Sequence, residues 1–284
     1  MKPAKTIDEQ LDILANRGLR IDDKEKAGRI LRDVNYYTLT GYLFPFEKSG
    51  VYTNDISFEK MVELYQFDTR IRKILLSLVS EAETMIKTRI AYSIAMLHRD
   101  DPLIYTDINY FNNAADYTRF IADFQTSVRN NNEIPFVKHH ISKYRSQFPI
   151  WVAVELLTLG NIKYFYKNIP SKDRKEISKT FNVSPTTFDS WIDCLRIVRN
   201  RLAHNMRLYD TTFKNTPRFE KHHILKSENN RLFSSFILLK YLLHNHETWS
   251  ESMEELDIIM VRYHDTINLK KIGFPTNWKI LLDD

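Results

Sequence analysis

Apolar residues recur every three or four positions along much of the chain, which is the spacing of an amphipathic helix. The longest such stretch runs from residue 58 to about residue 96, and the polar sequence Asp100-Asp101-Pro102 is expected to end it. At 1.5 Å per residue, an unbroken helix of that length spans on the order of 60 Å. We therefore expect either a bend or one long bundle helix. Its apolar positions are Met61, Leu64, Tyr65, Ile71, Ile74, Leu75, Leu78, Val79, Ala82, Met85, Ile86 and Ile90.

The first fifty residues are predicted to form a small helical subdomain. Thr6 with Glu9 has the pattern of a capping box, which predicts the start of a first helix, and Gly18 is expected to end that helix. Asp22 with Glu25 has the same pattern and predicts the start of a second helix. Two short helices in this arrangement are compatible with a helix-turn-helix-like module or with simple packing. We favour packing, because most aromatic clusters are core. The aromatic residues that follow are Tyr36, Tyr37, Tyr42, Phe44 and Phe46.

The remainder, residues 51–284, is predicted to be a helical bundle with additional C-terminal helices. Ser184 followed by Pro185 is a strong start signal for a helix. A polar, Asn-rich linker with helical pieces is expected before Pro135, and a segment that begins at Pro149 is expected to close at Gly160. Further helices are expected at residues 173–181, 232–245 and 251–266. No alternating strand pattern is present, so the predicted fold class is all-α.

Composition adds to this picture. Only six of the 284 residues are glycine, which favours helices over a turn-rich β fold. A single cysteine, Cys194, excludes an internal disulfide and indicates a reducing compartment. The first residues lack the apolar stretch of a signal peptide, and no apolar run approaches the roughly 20 residues of a membrane helix. We therefore expect a cytoplasmic protein that does not associate with membranes.

Positive charge is concentrated in one region. The whole chain carries a net charge of +5, whereas residues 196–231 contain nine Lys or Arg against three Asp or Glu, a local charge of +6. A localised basic region is typical of a protein that binds a polyanion such as RNA, although a solvated basic face is an equally good interpretation.

The helix that begins at Pro185 carries the candidate chemistry. Arg199, Asn200 and His204 combine a permanent cation suited to phosphate with a group that moves protons near neutral pH. On an ideal helix Arg199 and His204 lie about 140° apart, so one protomer holds them together awkwardly. A kink near Arg199, or two copies of this face meeting across a two-fold axis, would bring them together.

Further positions on this helix separate into two faces. Trp191, Leu195, Val198 and Leu202 form one predicted buried stripe, and Asn200, His204 and Arg207 fall near the opposite side. The predicted RNA-binding residues are Arg196, Arg201, Asn205, Arg207 and Lys214.

Other histidines occur close together along the chain. They are His139, His140, His222, His223, His244 and His246. None comes with cysteines or carboxylates at the spacing of a zinc site, so we favour surface or RNA-facing positions. We predict neither a metal site nor a cofactor.

Several blocks of this sequence resemble, in order, the Abi-like family of bacterial abortive-infection proteins (AbiD/AbiF type), which belongs to the HEPN superfamily. Besides the stretch from Trp191 to Tyr209, the blocks are Asn35-Tyr36-Tyr37 with Gly41-Tyr42, Tyr65-Gln66-Phe67-Asp68 with Arg70 and Arg72, Pro149-Ile150-Trp151 with Glu155-Leu156-Leu157 and Gly160, and Gly273-Phe274-Pro275 with Trp278. Two positions depart from the family. Asn205 stands where relatives often have a second histidine, and Thr38 stands where they often have arginine.

The resemblance implies a HEPN-like bundle that dimerises, so that two Arg-x4-His motifs form one cleft. The implied activity is metal-independent RNA cleavage, with His204 as general base or acid, Arg199 on the scissile phosphate and Asn200 as an orienting group. It also implies growth arrest during phage infection, restrained by a small RNA or a protein antitoxin. The alternative is a non-catalytic RNA-binding or dimeric scaffold protein that uses the same basic face.

Overall fold

The structure, a computed structural model, describes residues 3–53, 56–223 and 230–283. These residues form fourteen α-helices and one two-stranded antiparallel hairpin, which confirms the all-α prediction. The helices are α1 (Ile7–Asn16), α2 (Lys24–Asp33), α3 (Tyr36–Thr40), α4 (Phe58–Leu97), α5 (Ala114–Asn130), α6 (Pro135–Lys143), α7 (Ile150–Ala153), α8 (Leu159–Asn168), α9 (Ser171–Lys179), α10 (Pro185–Ala203), α11 (Leu232–Leu243), α12 (Glu247–Arg262), α13 (Leu269–Ile272) and α14 (Trp278–Asp283). The strands are β1 (Glu47–Lys48) and β2 (Val51–Tyr52), and 3₁₀ helices cover Gly41–Phe46, Ile104–Thr106, Ile108–Tyr110 and Val154–Leu156.

Helix α4 is the central element of the bundle. It runs for 40 residues without interruption, so the long bundle helix is confirmed. Ser57 accepts a hydrogen bond from the backbone N–H of Lys60 at 3.2 Å and caps its start. Helices α7, α9, α10, α11 and α12 all pack against α4. One long apolar helix therefore supplies a shared core surface for the motif helix and for the C-terminal helices.

The N-terminal helices begin close to the predicted positions. In the capping box, the N–H of Glu9 donates to Thr6 Oγ1 at 3.2 Å, and the N–H of Thr6 donates to Glu9 Oε2 at 2.8 Å. Helix α2 is capped by Asp23, one residue later than the predicted Asp22. The Asp23 carboxylate accepts the N–H of Lys26 at 2.8 Å. Capping geometry is local, so sequence located both helix starts to within one residue.

The first two helices bury apolar faces, as the packing interpretation expects. Their buried residues include Leu11, Leu14, Ala27 and Leu31, which belong to the same continuous core as α4. The hairpin covers residues 47–52 and so crosses the predicted division at residue 50. The division into residues 1–50 and 51–284 stays a prediction.

Two predictions for the middle of the chain need correction. The helical pieces expected in the Asn-rich linker are present, but they make up most of it: Asn113 caps the start of the 17-residue α5 and Asn131 its end. Asparagine is common in loops and is also a preferred helix-capping residue. Here the asparagines lie at the ends of a helix and not in a loop. Gly160, expected to close a segment, lies inside α8 near its start. Thr158 caps that helix in a box with Asn161.

None of the helices in the described part of the chain is both long enough and apolar enough to cross a membrane.

Candidate functional site

Helix α10 packs its predicted stripe into the core. Trp191, Leu195, Val198 and Leu202 are all buried, which confirms the stripe. Ser184 caps the helix by accepting the N–H of Thr187 at 3.3 Å. The buried indole of Trp191 donates to the carbonyl of Arg218 at 2.7 Å. Because one side of α10 is held in this way, its polar residues face away from the core.

Cys194 is also buried on α10. Burial raises the pKa of its thiol to about 12, so the side chain stays neutral near pH 7. Cys194 therefore packs as a small apolar residue and contributes no reactive thiolate to the site.

The motif lies where α10 ends. The helix stops at Ala203, and His204 is its C-cap. Asn205 adopts a left-handed backbone with φ of 50°. Its N–H donates to the carbonyl of Leu202 at 3.1 Å, and the N–H of Met206 donates to that of Arg201 at 2.9 Å. These two bonds are the Schellman motif, which satisfies the last carbonyls of a helix.

This ending corrects one prediction. Ideal helix geometry placed Arg207 on the same face as Asn200 and His204, but Arg207 lies beyond the helix. The left-handed residue at 205 reverses the chain, so the wheel does not extend past Ala203.

Asp68 holds the segment that follows the motif. Its fully buried carboxylate accepts the backbone N–H groups of Leu208 at 3.0 Å and Tyr209 at 2.6 Å. It also accepts the hydroxyl of Tyr42 at 2.7 Å and Nη1 of Arg72 at 2.5 Å. Burial raises the pKa of Asp68, and the charge of Arg72 together with these hydrogen bonds opposes that shift. Sequence reasoning missed this role, although the block of residues 65–68 contained the residue.

Arg207 connects the motif region to the N-terminal aromatic residues. Its Nη1 donates to the carbonyl of Gly41, and its guanidinium lies 5.5 Å from the ring centre of Phe44 and 5.9 Å from that of Tyr42. Phe44 is 64% exposed, so this contact forms part of the surface. The aromatic stretch thus borders the end of α10.

The three predicted catalytic residues all reach the surface. The Arg199 side chain is 43% exposed, and its Nε lies 3.7 Å from Glu83 Oε2 on α4. Glu83 also pairs with Lys87 at 2.9 Å. Asn200 and His204 are exposed, and the bond between them joins backbone atoms, His204 N–H to Asn200 O, at 3.1 Å. The orienting bond predicted from the Asn200 side chain stays a prediction.

The five predicted RNA-binding residues have different surroundings. Arg196 donates to Asp193 Oδ1 at 2.8 and 3.1 Å. Arg201 donates to the carbonyl of Arg207 at 3.3 Å and lies over Phe213. Asn205 and Lys214 are exposed. Protein groups therefore engage the three arginines at 196, 201 and 207, and contact with RNA stays a prediction for all five.

Among the other histidines, the expectation of a surface position was wrong for His223. It is buried, and its Nδ1 accepts the N–H of Glu220 at 2.7 Å. His140 is half-buried and stacks on Phe148 with ring centres 5.2 Å apart. Sequence spacing does not show such packing against distant aromatic rings. Within residues 3–53, 56–223 and 230–283, no three His, Cys, Asp or Glu side chains are grouped so as to hold a metal ion.

The fold and this site together define an all-α bundle with an exposed Arg–Asn…His set at the end of a core helix. The sequence profile of the family described as Abi-like protein matches residues 29–210, more than half of the chain. The chain therefore belongs to the Abi-like protein family, a membership that suggests a role in abortive infection. A search of curated proteins and a search of solved structures each found no match. The matched residues include the aromatic stretch, α4 and the whole motif.

Proposed function

We propose that this protein is a metal-independent endoribonuclease of antiphage defence, with a HEPN-type site formed by two protomers. The observation that carries the proposal is the exposure of Arg199, Asn200 and His204 together at the end of a helix whose opposite face is core. The imidazole supplies a group for proton transfer and the guanidinium a group for phosphate binding, and a second protomer would bring the two together. Membership of the Abi-like family supports a role in defence.

The proposed chemistry is attack by a ribose 2′-hydroxyl on the neighbouring phosphorus. One His204 removes the proton from the 2′-oxygen, which forms the new bond to phosphorus as the bond to the 5′-oxygen breaks. The second His204 of the dimer protonates the leaving oxygen. Arg199 neutralises the charge that develops on the phosphate. The products are a 2′,3′-cyclic phosphate and a 5′-hydroxyl.

The placement of the two side chains supports a dimer. Arg199 lies beside Glu83 on α4, and His204 follows the last helical residue as the C-cap of α10. A second copy meeting this face adds a histidine near each arginine without any bend in α10. The expected regulator is a small RNA or a protein antitoxin that keeps the cleft closed.

The alternative is a non-catalytic RNA-binding or scaffold protein. One observation favours it. Among the described residues no side chain is hydrogen-bonded to the His204 ring, whereas a catalytic base is normally oriented by a third group. In that case the basic face binds phosphate without cleavage.

A comparison of wild type with His204→Ala tests the nuclease activity. We expect the variant to lose growth arrest and to cleave RNA at least about 100-fold more slowly, because the substitution removes both the general base and the general acid of the proposed dimer. Sequencing of RNA ends and detection of cyclic phosphate, in the presence of EDTA, measure the products. His264→Ala is the matched control, since His264 is also an exposed histidine and lies outside the motif.

Equal toxicity of wild type and His204→Ala, or intact RNA with both, would contradict the nuclease proposal. RNA that is bound but not cut by both proteins supports the scaffold. Loss of cleavage in EDTA contradicts the metal-independent mechanism.

A further inference from the structure

A second basic site lies in a groove between α4 and α12. The groove has a volume of about 660 Å³ and is lined by three cations, Arg70, Lys73 and Arg262, with Glu255 as the acidic residue of its lining. This volume is within the range of small-molecule sites, about 300 to 1,000 Å³. Pyrophosphate or a nucleotide is therefore of suitable size for it.

One buried tyrosine, Tyr263, contacts both arginines. The hydroxyl of Tyr263 accepts the Nε–H of Arg70 at 3.2 Å, and the guanidinium of Arg262 lies 5.5 Å from the centre of the same ring. A guanidinium held at Nε keeps its two terminal nitrogens available for a bidentate partner. The hydrogen bond to Tyr263 already restricts the Arg70 side chain, so Arg70 loses less conformational freedom when it binds an anion.

The three cations have no carboxylate partner. Within the described part of the chain, none of Arg70, Lys73 and Arg262 has an acidic oxygen within 4 Å, and all three are exposed. By contrast, nearby Arg72 is buried and paired with Asp68. Unpaired cations in a groove raise the local concentration of anions.

The groove is separate from the Arg–Asn…His site. Asp68 faces the segment after α10. Arg70 follows two residues later, about 200° around the axis of α4, so it lies on nearly the opposite side of that helix. Glu83, the partner of Arg199, is a further thirteen residues along, about 20 Å up the helix. A phosphate held by Arg199 is therefore out of reach of Arg70.

We infer that the groove between α4 and α12 binds a phosphate-bearing ligand through Arg70, Arg262 and Lys73. Its two possible sources are the terminal phosphates of a nucleotide and the backbone of a nucleic acid. Phosphate is a group that guanidinium groups recognise by paired hydrogen bonds, and Lys73 adds a point charge. The inference goes beyond the proposed cleavage and does not depend on it.

Isothermal titration calorimetry on the full chain tests the groove, with inorganic pyrophosphate, ATP and a uridine oligonucleotide without terminal phosphates as probes. We expect at least one probe to bind, and Arg70→Gln combined with Arg262→Gln to weaken that binding by at least about tenfold. Arg119→Gln is the matched control, because Arg119 also stacks on a tyrosine, Tyr164, outside the groove. Binding to that control should equal wild type.

Which of the three probes binds identifies the source of the phosphate group. Pyrophosphate and ATP binding that depends on Arg70 and Arg262 indicates a nucleotide, whereas oligonucleotide binding with the same dependence indicates a nucleic-acid backbone. The measurements are repeated in His204→Ala protein, so failure of the nuclease proposal leaves them interpretable. Circular dichroism confirms that the double variant is folded.

Two results would overturn the inference. One is the absence of binding by all three probes at low salt. The other is binding that the double variant and Arg119→Gln retain equally. Tyr263→Phe adds a positioning test: loss of the hydroxyl should weaken binding several-fold while the ring remains beneath Arg262.

Discussion

Asp68 is the eleventh of the 40 residues of α4 and has no exposed surface. Its carboxylate accepts hydrogen bonds from Leu208, Tyr209, Tyr42 and Arg72. The two backbone donors belong to the segment directly after the motif. A carboxylate has enough acceptor sites for all four donors, and an amide side chain does not. At the scale of a residue, Asp68 therefore links the long core helix to the position of His204.

Replacement of Asp68 by asparagine is expected to lower the free energy of unfolding by about 3 kcal/mol, because it leaves the buried Arg72 without a counter-charge. Urea denaturation measures the change. Asp12→Asn is the control: Asp12 and its partner Lys24 are exposed and 3.5 Å apart, so the expected loss is less than about 1 kcal/mol. Equal stability of the two variants would show that the network contributes little.

At the scale of an element, the way in which α10 ends sets the position of the residues that follow Ala203. Asn205 takes the left-handed position of the Schellman motif, and glycine and asparagine are the residues most often found there. The sequence suggested an RNA contact at this position. The backbone gives Asn205 a structural role that does not require RNA.

We expect Asn205→Ala to lower the free energy of unfolding by about 1 kcal/mol, since a left-handed backbone is costly for alanine. Asn205→Gly should be at least as stable as wild type, because glycine adopts this φ freely. Thermal or urea denaturation of the three proteins measures the order. If the Asn205→Ala protein is as stable as the Asn205→Gly protein, the left-handed backbone is not the reason that asparagine occupies position 205.

RNA cleavage by the same variants separates the two roles. A contact from the Asn205 amide predicts an equal loss of cleavage in both variants, whereas a purely structural role predicts that Asn205→Gly remains active.

At the scale of the whole molecule, the proposed site requires two protomers. Separate Arg199→Gln and His204→Ala proteins should each be inactive. Mixed under conditions that exchange protomers, they form heterodimers in which one intact Arg199 faces one intact His204. Such a heterodimer keeps one of the two His204 groups of the proposed mechanism, so water protonates the leaving oxygen. We expect RNA cleavage above the sum of the separate proteins but below wild type, because the one intact Arg199 and the one intact His204 come from different chains.

The control for this mixing experiment is a protein that carries both substitutions. It should restore no RNA cleavage when it is mixed with either single variant. Sedimentation at micromolar concentration measures the assembly independently. A monomer in sedimentation, or no recovery on mixing, would argue against a shared cleft.

Local signals in the sequence were sufficient for most helices of the site. The period of apolar residues predicted α4, and Ser184 with Pro185 located the start of α10 to the residue. The motif residues were predicted from their chemistry and from the family resemblance. The Asn-rich stretch contains more helix than predicted, because asparagine favours both loops and helix ends.

The sequence by itself determined the helical class and the buried stripe of α10, because both depend on neighbours within a few turns. It also proposed Arg199, Asn200 and His204 as candidate site residues. Only the tertiary structure decided that Asp68 holds a segment 140 residues away and that Tyr263 joins Arg70 to Arg262. Hydrogen bonds between distant positions leave no periodic pattern along the chain. Such contacts exist only once the helices have packed and brought the donors to their acceptors.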